Sequence, residues 1–244
     1  MVLSYLSVIG DSPAAFLILV AAFVFSMLVG LSFHEFSHAL IATALGDPTP
    51  RAAGRLTLDP RAHLDPAGSL LILFAGFGWA RPVPVDPRRA RHPRYAMALI
   101  ASGGPLANLL LAGLASVPIR LGLVPFHHPF VDPGLAGSYA QLWTRTPSDL
   151  VGLFLGTIVL LNVLLAVFNL VPLAPLDGFR VAVGVLPRAL ARPLMRLEAW
   201  GPGLLILLVL MPFFSGYSPL FAVMNPLIRL CLDLFVGGGE VLLG

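Results

Sequence analysis

Apolar residues run almost without polar interruption over about 13–45, and again over about 95–118, 149–171, 199–214 and 219–236. A hydrocarbon core about 30 Å thick is crossed by about 20 apolar residues in a helix. The first run exceeds that length and stops at Gly46-Asp47-Pro48. One continuous helix is therefore predicted to span and emerge on the far side. A turn-rich loop at 119–148 separates the second span from the third. The proline-rich stretch 172–178 ends the third, and a short helix bearing Arg188, Arg192 and Arg196 precedes the last two runs.

Residues 49–94 differ in kind. Short alternating pieces such as Arg55-Leu56-Thr57-Leu58 and Val83-Pro84-Val85 read as strand, which the prolines confine to sheet edges. Between them, 67–80 is apolar and glycine-rich but too short to span, so a re-entrant or interfacial loop is expected. The pattern thus predicts an all-α polytopic membrane protein of about five to six transmembrane helices, with a small β-rich, re-entrant segment at about 50–90.

Composition agrees. Of the 244 residues, 57% are hydrophobic and 11% charged, with a mean hydropathy of +0.90. Soluble domains carry about 25% charged residues, so the bilayer is the expected solvent. The length suits one integral-membrane domain over 1–244, with a catalytic core at about 13–180 and C-terminal spans at about 199–236. The first apolar run is too long for a cleavable signal peptide, and no basic residue precedes it. The single cysteine, Cys231, excludes an internal disulfide and a cysteine-based zinc site. A formal charge of +3 is no nucleic-acid signature. All fifteen basic residues are arginine, and with the abundant Ala, Leu, Gly and Pro this suggests a prokaryotic cell membrane. Twelve of the fifteen lie in 49–94 and 180–196. The positive-inside rule places both segments in the cytoplasm and the N-terminus outside.

Three ionisable residues interrupt the first run as His34-Glu35-Phe36-Ser37-His38, an H-E-x-x-H sequence. Residues four apart share a helix face, so both imidazoles can reach one zinc ion. Glu35 sits beside them as a general base for a water that the metal activates. Ionisable groups in a lipid-embedded helix are costly and face a bundle interior or a cavity, which argues against two idle core histidines. A third ligand is needed. Glu198 and Glu240 lie in the arginine-rich short helix and the glycine-rich tail, and most aspartates flank loops. Asp177 differs, because it ends a membrane span on backbone broken by Pro172 and Pro175. It suits either a ligand or an N-cap of the next helix.

These motifs resemble the site-2 proteases, intramembrane zinc metalloproteases that cut transmembrane substrates to release membrane-tethered regulators. The resemblance rests on His34-Glu35-Phe36-Ser37-His38 and on Asn169 through Gly178, similar to the family's N-x-x-P-x-x-P-x-D-G. Gly104-Pro105-Leu106-Ala107-Asn108 is similar to its G-P-x-x-N, and the 55–86 segment carries Gly78-Trp79-Ala80-Arg81-Pro82-Val83-Pro84-Val85. The matches cover about 30–180, and the chain resembles the short, minimal members without an appended module. The resemblance implies one Zn2+ per chain held by His34, His38 and Asp177, catalysis by Glu35, a transmembrane protein substrate, and Asn169 near the substrate backbone.

Asn108 is a candidate for substrate binding or for an interhelical hydrogen bond, as buried asparagines commonly provide. His63, His92, His127 and His128 are expected to be surface loop residues. An opened substrate peptide could pair with an extended 83–85 by strand addition. The rival function is a transporter or binding protein that uses the buried histidine pair, and it predicts that Glu35 is dispensable.

Overall fold

A computed structural model describes Leu6 and residues 8–75, 78–90, 92–131 and 135–237. Five helices in it are long and apolar enough to cross a membrane: Pro13–Ala44, Pro93–Arg120, Pro147–Asn169, Arg188–Ser215 and Pro219–Val236. Together with the apolar composition they make this a membrane protein. We number the helices α1 (Pro13–Ala44), α2 (Pro66–Ala75), α3 (Pro93–Arg120), α4 (Ala136–Trp143), α5 (Pro147–Asn169), α6 (Asp177–Val185), α7 (Arg188–Arg196), α8 (Gly201–Ser215) and α9 (Pro219–Val236).

Local chemistry explains where these helices begin. Ser12 caps α1 by accepting from the Ala15 amide, and Ser218 caps α9 by accepting from Phe221. Thr146 and Asp149 form a reciprocal capping box at the start of α5. Proline follows each cap directly, where its fixed φ suits a first turn and its missing N–H costs nothing. At the other end, Gly122 and Gly216 stand just beyond α3 and α8 with φ of 70° and 68°, a conformation that favours glycine.

Helix α1 is not uniform. A π-turn over Ser26–Gly30 separates its first half from Leu31–Ala44, the segment that carries His34, Glu35 and His38. Such π-turns appear frequently at functional sites.

Three spans share one buried cluster. Ala112 and Ile119 of α3, Val159, Leu160, Val163 and Val167 of α5, and Leu220, Met224, Ile228 and Leu232 of α9 make it up. The last span therefore joins the same core as α3 and α5, which the unmatched C-terminal sequence did not reveal. Helix α8 is peripheral, and Phe213 and Phe214 at its end are 81% and 87% exposed. In lipid such faces carry no hydrophobic penalty.

The expected β-rich segment is absent: no strand occurs among the described residues, and 64 and 80 form only an isolated antiparallel bridge. The reason is donor supply. Pro60, Pro66, Pro82, Pro84 and Pro87 offer no N–H to a ladder. Side chains take over the backbone groups: Asp59 accepts from the Arg61 amide, Asp65 from Gly68 and Asp86 from Arg88. Arg55 donates to the carbonyls of Ala62 and Arg81. Neither 55–58 nor 83–85 is a strand. The longest described element of the segment is a helix, α2. Over its ten residues α2 rises about 15 Å, half a hydrocarbon core. A Cβ on Gly68 would lie 2.1 Å from the Trp79 carbonyl oxygen, so the chain returns to the start of that helix.

Asp47 fastens this segment to the end of α1. It is buried, and its carboxylate accepts from the Thr49 amide at 2.9 Å and the Asp86 amide at 2.6 Å, with Arg89 at 3.9 Å. Burial alone would raise this carboxyl, but the bonds from Thr49 and Asp86 and the charge of Arg89 outweigh it and hold it below the usual range. A carboxyl depressed in the folded state stabilises above its unfolded value, about 3.9, and loses that contribution as pH falls through its folded value. The tie should therefore persist at neutral pH and loosen only below about pH 4. Asp47→Ala leaves two amides without acceptors and should cost about 1–3 kcal/mol. Limited proteolysis within 49–92 would report it as faster cleavage.

Candidate active site

His34 and His38 occupy successive turns of α1 on the side that faces α3 and α6. Their rings stand edge to face with centroids 4.7 Å apart. Asp177 opens α6, and its Oδ2 lies 3.1 Å from His34 Nε2 and 3.3 Å from His38 Nε2. No side chain caps α6, and position 176 precedes it as the cap residue, so Asp177 does not serve as an N-cap. The turn that aims it is tight. A Cβ on Gly178 would lie 2.1 Å from the Leu170 carbonyl oxygen, and the Ala174–Pro175 peptide is cis.

Two neighbours fix the histidines from behind. His38 Nδ1 lies 2.7 Å from the Ile100 carbonyl, which can only accept, so Nδ1 carries the proton and Nε2 keeps its lone pair. His34 Nδ1 lies 2.7 Å from Asn108 Oδ1. Gly104 stands one helical turn before Asn108, and a Cβ there would lie 2.4 Å from His34 Nε2. Glycine at 104 thus opens the slot for the imidazole, and the amide at 108 orients it. Gly103 brings the same faces together, since its Cβ would meet Ile41 Cδ1 at 2.6 Å.

These donors fit zinc. Imidazole lone pairs facing a carboxylate at 3.1–3.3 Å repel it unless a proton or a metal cation lies between them. Tetrahedral zinc with bonds of about 2.0–2.1 Å sets its ligands about 3.3 Å apart. Among the described residues, His34, His38 and Asp177 are the one group of three His, Cys, Asp or Glu whose ligand atoms converge, all within 4.8 Å of one another. Glu198 is exposed and belongs to no such group. Glu240 lies outside the described residues.

Glu35 is buried beside the pair without belonging to the converging group. The Arg55 guanidinium, held between the carbonyls of Ala62 and Arg81, lies close enough to feel its charge. Asn169 is half-buried at the end of α5 and donates to the Leu165 carbonyl of its own helix. Asn108 is fully buried, and its amide is engaged by His34, Gly30 and Asn162. Of the two roles left open for it, this geometry is the interhelical one. Sequence reasoning missed Asn162. The signal was a lone amide in the otherwise apolar stretch before Asn169.

Two of the other four histidines are not surface residues, whereas His92 is exposed. His63 and His127 are buried, at 0% and 7% exposure, although both lie between spans. His63 Nε2 lies 2.7 Å from the Thr57 carbonyl, and His127 Nε2 lies 2.9 Å from Asp149 Oδ1. Each fastens a loop, and neither belongs to the converging group.

Comparison with known proteins agrees with the site. The chain is 37% identical over 192 residues to the Bacillus subtilis protein named "Putative zinc metalloprotease YwhC", covering 79% of this chain and 81% of that one. Two proteins named Rip2, with the same zinc metalloprotease designation, are also similar. The one from Mycolicibacterium smegmatis is 29% identical over 78% of this chain and 67% of its own length. The one from Mycobacterium tuberculosis is 30% identical with the same coverage. No family model matches the chain, and no solved structure does. A metal-ready His-His-Asp group beside a glutamate, with relatives of this identity and coverage, makes the chain a zinc metalloprotease of the site-2 protease family.

Proposed function

We propose that this protein hydrolyses peptide bonds in or near transmembrane segments of substrate proteins, as in regulated intramembrane proteolysis. The observation that carries this reading is the depth of the site. His38 lies six residues, about 9 Å, inside the end of α1, and His34 a further turn in. The converging side chains thus sit within the helical layer and not on its surface. A peptide bond reaching them must enter that layer.

His34, His38 and Asp177 would hold the zinc, which when bound would supply Lewis acidity for a water and the scissile carbonyl. Glu35 accepts the water's proton and returns it to the leaving amine. Asp177 and the two imidazoles hold their lone pairs toward one point. In this reading Asn169, half-buried and outside the ligand group, meets the substrate backbone. A helical substrate must unwind locally, because its carbonyls are engaged in its own hydrogen bonds. The arginine-rich 49–94 segment sits at the same end of α1 as the site and supports a cytoplasmic-facing active site with the N-terminus outside.

Two measurements test this. Protein reconstituted with a single-span reporter should cleave it, stop on chelation and recover with added zinc at about one ion per chain. Soluble peptides cleaved as fast as the membrane reporter would sink the intramembrane reading. In a Cys231→Ser background, cysteines placed at Arg89 and Arg192 should react from the cytoplasmic side and one at His128 from the other. Equal reactivity of positions 89 and 128 from one side would overturn the topology.

A further inference from the structure

Behind His34 lies a chain of amides that ends on the main chain of another span. Asn162 Nδ2 donates to the Ile158 carbonyl at 2.9 Å. Asn108 Nδ2 donates to Asn162 Oδ1 at 2.9 Å and to the Gly30 carbonyl at 3.1 Å, and Asn108 Oδ1 faces His34 Nδ1 at 2.7 Å. Asn108 and Asn162 are 0% and 2% exposed, so no solvent offers alternative partners.

We propose that Asn162 is a positioning residue of the metal site, which through Asn108 fixes the proton of His34 on Nδ1 and leaves Nε2 free for the metal. The assignment follows from which groups can only accept. The Ile158 carbonyl has no hydrogen, so it takes the NH2 end of Asn162 and turns Oδ1 toward Asn108. Asn162 Oδ1 and the Gly30 carbonyl then both accept, and together they use the two hydrogens of Asn108 Nδ2. A reversed Asn108 amide would set its oxygen against two acceptors in a buried setting, with their desolvation uncompensated. Asn108 Oδ1 must therefore face His34, and an oxygen there selects the tautomer with hydrogen on Nδ1.

The geometry of α1 serves the same end. Gly30 closes the π-turn and supplies the second acceptor. A Cβ at that position would lie 2.8 Å from Asn162 Oδ1, so a side chain would push Asn162 away from Asn108. Three spans thus meet at one amide, and the metal site is registered to α5 as well as to α3. The hydrogen bonds of Asn162 go to Asn108 and to the Ile158 carbonyl, so it acts through Asn108.

This inference rests on the zinc-site reading, and the test separates the two. Zinc affinity is measured by competition with a chromophoric chelator for wild type, Asn108→Leu, Asn162→Leu and the double variant. Asn162→Leu should weaken binding about tenfold and Asn108→Leu somewhat more, within the roughly 10- to 100-fold range of lost outer-shell partners. The double variant should match Asn108→Leu, since Asn162 has no other route to the site. Additive losses, or wild-type affinity in Asn162→Leu, would overturn the relay. Wild-type protein that binds no zinc would instead overturn the site reading itself. Should Asn162→Leu fail to fold, 15N spectra of zinc-free wild type, where neither His34 nitrogen is held by metal, decide the matter. A proton on His34 Nδ1 supports the relay, and one on Nε2 refutes it. Loss of packing alone would lower stability without moving that proton.

Discussion

Glu35→Gln should bind zinc like wild type and lose roughly a hundredfold or more in cleavage rate, the scale of a missing acid–base group. The substitution keeps the side chain's size and its capacity to accept a hydrogen bond at one atom, and it removes only the ability to take a proton. Structure and sequence separate the two roles in the same way. Glu35 lies about 100° around α1 from His34, whereas His38 shares His34's face. In the folded chain Glu35 is buried beside the ligands yet outside the converging group. The measurement pairs metal content with the rate on a transmembrane reporter. Loss of metal in Glu35→Gln would make Glu35 a ligand. A near wild-type rate with metal retained would remove the protease mechanism and favour the transporter or binding reading.

How much of this was legible in the chain differs from one element to the next. The spans were, because apolar runs of this length leave helices few alternatives in lipid. The histidine pair was also, since H-E-x-x-H sets two candidate ligands by helix geometry alone, whereas Asp177 stayed open between ligand and N-cap until the family resemblance implied it as the third. The 49–94 segment was misread. Alternation over four residues at 55–58 is too short to outweigh proline, and aspartates that accept from neighbouring amides leave no donors for a ladder. His63 and His127 were misplaced for a related reason. Position between spans says nothing about whether a loop folds back, as the loop residues Pro125 and His127 do against Gly152 and Gly156 of α5. Asn162 was invisible because its meaning lies in a partner 54 residues away. An amide in an apolar helix reads as generic interhelical glue until its neighbours' donors and acceptors are counted.

Asp177→Ala should abolish metal retention and with it all cleavage, the second large effect. Three donors hold the ion in the proposed site, and this substitution removes the one that carries negative charge. His34 and His38 alone form a two-ligand site, and catalytic zinc sites use three protein ligands. The loss in affinity should exceed the roughly 10- to 100-fold expected for an outer-shell partner such as Asn108. Asp177→Asn is the sharper variant. It keeps the shape at the head of α6, where the carboxylate is no helix cap, so folding should be preserved. It replaces a carboxylate with an amide, a poorer ligand that brings no charge. Zinc should then be lost on dialysis at concentrations that leave wild type loaded, and added zinc should restore only part of the activity. Glu35→Gln shows the opposite signature, with full metal and no turnover. Asp177→Asn that keeps its zinc through dialysis and cleaves at wild-type rate would remove Asp177 from the ligand set.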